Sequence, residues 1–132
     1  MTSDGVLRIE LALRQRDGDA LGHVNQAVYH ELLEETRAAF FGAVLPELPH
    51  TGYVLVRVEL DYRREVRLDH GHVSGECRAV ELGRSRIELE QRLLLPDGGV
   101  AAEGHCVLVA WDGEERRARE LTGDERARLL PG

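Results

Sequence analysis

Two carboxylates, an imidazole and a capping amide stand close together early in the chain: Asp17, Asp19, His23 and Asn25, with Gly18 and Gly22 between them. A carboxylate can attack an electrophilic carbon or activate a water against it. The glycines allow positive backbone angles at no steric cost, so the loop can fold tightly. Asn25 is a preferred N-cap residue, and the residues after it have helical spacing. The first N–H groups of a helix lack intrahelical partners and sit at the positive end of its dipole, so they hold an anion or polarise a carbonyl oxygen. An acid beside that terminus, with the N–H groups of Gln26 and Ala27 as oxyanion donors, is a candidate catalytic pair. Aspartates ahead of a helix more commonly cap local N–H groups, and that reading stands beside the catalytic one.

Other constellations carry less chemistry. His70 and His72 have no third ligand in view, so no metal site is expected. Cys77 and Cys106 form no Cys-x-x-Cys pair and each sits in an apolar run, so both are expected as buried free thiols. All 17 basic residues are arginine, and without a lysine no side-chain Schiff base can form. The formal net charge of -7 argues against a general nucleic-acid or anionic-membrane binder, so an anionic ligand must meet a local arginine cluster. The start of the chain lacks a signal-peptide pattern and no apolar run reaches the length of a membrane span, so a cytoplasmic enzyme is expected.

The elements that must position these residues follow from hydropathy patterning. Residues 6–13 alternate, with Leu7, Ile9, Leu11 and Leu13 on one side, and read as a strand delivering the chain into the loop. Over 27–44 Tyr29, Leu32, Leu33, Thr36, Phe40, Ala43 and Val44 follow helical spacing, with Glu34, Glu35 and Arg37 on the other side and Glu34 placed to pair with Arg37. Pro46 and Pro49 end that helix in a loop. Residues 53–62 predict a strand with Val54, Val56, Val58, Leu60 and Tyr62 on one face; 73–82, 87–95 and 100–111 predict three more, joined by turns at 83–86 and 96–99. From about 112 a polar tail follows, in which Thr122 and Glu125 are spaced as a capping box for a short terminal helix. With 132 residues the whole of 1–132 fits one domain that buries roughly two-thirds of its unfolded surface. One strand, one long helix and four more strands is an α+β order.

The spacing Asp17-x-Asp19-x-x-Gly22-His23-Val24-Asn25-Gln26-x-x-Tyr29, followed by Glu34 and Arg37, resembles the signature of hotdog-fold acyl-CoA thioesterases of the 4-hydroxybenzoyl-CoA thioesterase family. The resemblance is dense over 14–37 and thinner beyond. It implies a curved antiparallel sheet of about five strands wrapped around one long helix, with subunits pairing through a continuous sheet into a homodimer or homotetramer. It also implies that Asp19 works on a thioester carbonyl, as nucleophile or as base toward water, and that Gln26 and Ala27, beside Asn25, supply the oxyanion N–H groups. A thiolate leaves readily, so no Ser-His-Asp triad is needed. His23 is similar in place to the histidine of the Asp-x-Asn-x-His-Val-Asn-Asn motif of acyl-carrier-protein thioesterases, although Leu21 and Gln26 stand where that motif has Asn. Glu35, two turns into the helix, is the rival acid. For the CoA phosphates the resemblance points to Arg63, Arg64, Arg84, Ser85 and Arg86, since family members commonly place basic groups near these connections and arginine forks suit phosphate geometry. After Tyr62 this chain departs from the family, with Glu65 in place of a proline and Gly71-His72 in place of Gly-Asp.

The resemblance thus implies hydrolysis of a small or medium acyl-CoA to free acid and CoA, with CoA part of the substrate and no cofactor. An acyl-carrier-protein thioesterase and a non-catalytic acyl-thioester-binding domain are the alternatives.

Overall fold

The computed structural model describes residues 5–48 and 52–131. Residues 1–4, 49–51 and 132 lie outside it, including the N-terminal segment and the Pro49 half of the expected loop. Strand β1 (Leu7–Ala12) leads into the loop, helix α1 spans Gln26–Val44, and strands β2 (Tyr53–Tyr62), β3 (His72–Leu82), β4 (Arg86–Leu94) and β5 (Val100–Asp112) follow. A two-residue strand β6 (Arg117–Ala118) and helix α2 (Gly123–Leu129) close the sequence. The sheet is antiparallel with strand order β1-β3-β4-β5-β2, and β6 adds to β5. This is the expected α+β hotdog layout, a curved sheet against one long helix.

Alternation in β1 puts Leu7 and Leu11 into the core and Arg8, Glu10 and Ala12 outside. Helix α1 is capped by Asn25, whose side chain accepts from the Ala27 N–H at 2.9 Å. Its buried stripe includes Tyr29, Leu32, Leu33, Phe40 and Phe41. It rests so closely on β3 that a Cβ at Gly75 would collide with the Thr36 hydroxyl, which itself donates to the Leu32 carbonyl at 2.8 Å. The core has two parts: Leu32, Leu33, Val66, Val73 and Leu93 near the start of α1, and Phe40, Phe41, Leu89, Cys106 and Leu108 near its end.

Three features differ from the pattern read in the sequence. The register of β2 against β5 shifts between Leu55 and Arg57, so Tyr53 and Leu55 share the helix-facing side with Val58, Leu60 and Tyr62, while Val54 points the other way. A bulge at Val56 inserts one residue and reverses the alternation there, which a strict period of two cannot anticipate. Arg37 does not pair with Glu34 in solvent. It is 7% exposed and donates to the Gln91 amide oxygen at 3.1 Å, because position 37 lies four residues from Leu33 on the buried stripe. The charged tail also contributes to the core: Leu121 and Leu129 are buried against the Phe40 cluster, and the Thr122–Glu125 capping box forms.

Both cysteines are free and buried. Burial pushes the Cys77 thiol well up and the Cys106 thiol to about 11, so neither is a thiolate nucleophile.

Candidate active site

The loop between β1 and α1 treats its two aspartates oppositely. Asp17 is 2% exposed. It accepts from the Arg14 backbone N–H at 2.7 Å and from Arg14 Nη2 at 3.0 Å, and its carbonyl accepts from the Asn25 N–H at 3.1 Å. Burial alone would raise this carboxyl, but the Arg14 guanidinium and N–H outweigh it and hold the group below the usual range. Asp17 therefore ties the loop to the start of the helix.

Asp19 is exposed. Its Oδ1 accepts from the N–H of Leu21 at 2.9 Å and of His23 at 3.0 Å. Its own N–H and carbonyl close a tight turn with the His23 carbonyl at 2.8 Å and the Gly22 N–H at 3.1 Å. Gly22 has φ +80°, a conformation that side-chain-bearing residues rarely adopt. The His23 N–H is the chief cause that lowers the Asp19 carboxyl. The group is thus ionised at neutral pH, and Oδ2 accepts neither of these bonds.

A second loop, between β2 and β3, forms the other wall. The Val24 N–H donates to the Val66 carbonyl at 2.8 Å, the Leu68 N–H to the Gly22 carbonyl at 2.9 Å, and His23 bridges Arg67. The Val66 N–H in turn donates to the Tyr29 hydroxyl at 3.0 Å, which locks this loop onto α1. His23 Nε2 lies 3.6 Å from Glu65 Oε2, with both side chains about half exposed. Tyr62 packs edge-on to Tyr29, ring centroids 5.2 Å apart, and its hydroxyl stands 3.3 Å from His30 Nε2.

Asn25 caps the helix, and the Ala27 N–H is engaged by that cap. Gln26 is exposed and its N–H has no partner among the described residues. Asp19, His23, Asn25, Gln26 and Ala27 thus gather at one end of the sheet. The arginines do not all join them. Arg63 pairs with Asp61 and Glu103, and Arg64 with Asp97, at the β2–β3 end. Arg84, Ser85 and Arg86 lie beyond the other end of the eleven-residue β3, where the Arg84 and Ser85 carbonyls accept from the N–H groups of Leu121 and Ala110. Glu35 is exposed on α1, its charge felt by Arg14. His70 Nδ1 accepts from the Arg67 N–H, and no group of three metal-ligating side chains is found among the described residues.

Glu65 is the neighbour that reading the sequence missed. It stood out only as a departure after Tyr62, and no spacing rule links a residue of the β2–β3 loop to His23. A recess of about 850 Å³ lies among the paired charges of Glu76, Arg92, Arg78 and Glu90, and none of the loop residues above lines it.

A family model described as the thioesterase-like superfamily matches residues 13–129. Among solved structures the chain is similar to a thioesterase of Thermus thermophilus complexed with coenzyme A and Zn, at 36% identity and TM-score 0.81, over 92% of this chain and 90% of that one. It is also similar to a Pseudomonas aeruginosa protein described as a candidate thioesterase, at 31% identity and TM-score 0.81, over 93% and 97% of the two chains. A candidate thioesterase of Escherichia coli matches at 25% identity and TM-score 0.75, over 92% and 95%. No curated protein matches.

Proposed function

Since the chain belongs to the thioesterase-like superfamily, we propose that it is a cytoplasmic enzyme that hydrolyses a small or medium acyl-CoA thioester to the free acid and CoA. The single observation that carries this reading is Asp19, an ionised carboxylate pinned by two backbone N–H groups in the loop ahead of α1. The ionised carboxylate keeps Oδ2 outside these two bonds, and we assign Oδ2 the direct attack on the thioester carbon. The developing oxyanion takes the Gln26 N–H at the positive end of the helix. Collapse breaks the carbon–sulfur bond, the electron pair leaving with sulfur as CoA thiolate, and no cofactor is required.

Asp19 is exposed in a single chain, so a second subunit would complete the site. Among the described residues the outer edge of β2 carries no strand, and Leu55 and Val56 beside it are 44% and 57% exposed, which suits pairing with a second copy. Such pairing can also bring one subunit's Arg84–Arg86 turn toward the other's Arg63 and Arg64, the five residues we assign to the CoA phosphates.

That same exposure is what favours the second reading, a domain that binds acyl thioesters without turnover. A panel of acyl-CoAs of increasing chain length, with the same acyl groups on a carrier protein, separates the two. Release of free thiol supports hydrolysis and ranks the carriers; saturable binding with no thiol released supports the second reading.

A further inference from the structure

Asp19 as nucleophile leaves one task unassigned, because the acyl group it then carries as a mixed anhydride still has to be removed by water. While it carries the acyl group Asp19 is no longer a carboxylate and has no basic site for that water's proton. The imidazole of His23 stands in the same turn, and the one side-chain partner within ion-pair reach of its ring among the described residues is Glu65, at 3.6 Å from Nε2. The contact is supported from both sides. Val24 and Gly22 bond through their backbones to Val66 and Leu68, so the two loops that carry His23 and Glu65 cannot drift apart without breaking those bonds. The Tyr29 hydroxyl on the Val66 N–H fixes the same segment to α1. Arg67, whose backbone bridges His23, has its guanidinium on Asp69 at 2.9 Å and feels the Glu65 charge more weakly than that of Asp69.

We propose that Glu65 is a positioning residue that sets the tautomer of His23, and that His23 is the base of the deacylation step. A neutral imidazole has one N–H and one lone pair, and the partner of one nitrogen decides which the other carries. With the Glu65 carboxylate drawing the proton to Nε2, Nδ1 presents its lone pair. A rotation of either half-exposed side chain closes 3.6 Å to hydrogen-bond distance, as commonly happens when a substrate fills an open site. A water then gives its proton to Nδ1 while its oxygen lone pair bonds to the acyl carbon. The bond from that carbon to Asp19 breaks, its electron pair returns to Oδ2, and the proton on His23 passes to the departed thiolate or to solvent.

This inference rests on the thioesterase reading, and its test keeps the two apart. Ring ¹⁵N shifts of His23 in the full chain read the tautomer without any turnover. Wild type is expected with Nε2 protonated, Glu65→Ala with protonation moved toward Nδ1, and Glu65→Gln close to wild type because its amide oxygen still accepts. In rapid-mixing assays Glu65→Ala is expected to lower kcat and KM together by about tenfold and to show a burst of one thiol per site, since acylation now outruns deacylation. Glu65→Gln should recover most of the loss. Ring shifts unchanged in Glu65→Ala, or unchanged kcat with no burst, overturn the proposal. A wild-type chain that releases no thiol removes the thioesterase reading instead, and the ring shifts then still decide whether Glu65 holds His23.

Discussion

The two ends of α1 share a buried apolar base and differ in what covers it. At its C-terminal end Phe40 and Phe41 are 0% and 2% exposed, enclosed by Leu89, Leu108, Leu121 and Leu129. At its N-terminal end the helix opens onto Asp19, His23, Gln26, His30 and Glu65, all at least partly in solvent. Both ends rest on buried apolar side chains, but at the N-terminal end backbone hydrogen bonds between two loops carry charged groups over that core. Apolar burial needs no polar geometry and supplies most of the stability, which leaves the loop end free to hold charged groups that a close-packed core would reject. The contrast recurs within one short loop in Asp17 and Asp19, chemically identical residues of which one is buried to fasten the loop and the other is left facing outward.

Breaking the closed end should have the largest effect. Phe40→Ala is expected to cost about 3–5 kcal/mol of stability, read as a lower midpoint in urea unfolding. Gly75→Ala, where the added methyl meets Thr36, should cost about 1–3 kcal/mol by pushing α1 off β3. At the loop end, Asp17→Ala should cost about 1–2 kcal/mol, since it strips three N–H groups of Arg14 of their acceptor, although Arg14 itself keeps contact with water. A loss for Asp17→Ala as large as that for Phe40→Ala would erase the distinction between the two ends.

The smallest expected effect depends on pH and sits on α2, which seals the closed end. Pairing with Arg119, against the cost of burial and aided by the Thr122 N–H, brings the Glu125 carboxyl from an ordinary 4.5 to about 2. The folded-state value is depressed, so the stabilisation is complete above about 4.5 and is lost as pH falls from there toward 2. Allowing for solvent screening it is about 1 kcal/mol. Glu125→Gln should therefore lower the Tm near neutrality and approach wild type near the acid end. A difference that stays constant over that range would assign the effect to shape and not to charge.

The fold was largely legible because its signals are local. The 3.6-residue stripe of α1, the alternation of β1, the turn before Val100 and the Thr122–Glu125 box each depend on neighbours in sequence. What escaped depends on contacts between distant segments. The bulge at Val56 answers to the register of β2 on β5, and burial of Arg37 answers to Gln91, 54 residues away. Of the candidate site, the cluster from Asp19 to Ala27 could be named because one short loop carries it. Glu65 could not, because only the pairing of two loops brings it to His23. Of the five positions assigned to the CoA phosphates, one chain holds Arg63 and Arg64 at one end of β3 and Arg84, Ser85 and Arg86 at the other, which spacing in sequence does not reveal.

The central claim is that the exposed acid does chemistry while the buried one does not, and Asp19→Asn tests it most directly. The amide oxygen can still accept from Leu21 and His23, so the turn and the Tm should be kept while the nucleophile is lost. Measured on the acyl-CoA that wild type turns over fastest, kcat is expected to fall by about 10²–10³-fold at unchanged Tm. Thiol release at the wild-type rate from a folded Asp19→Asn chain would contradict the account.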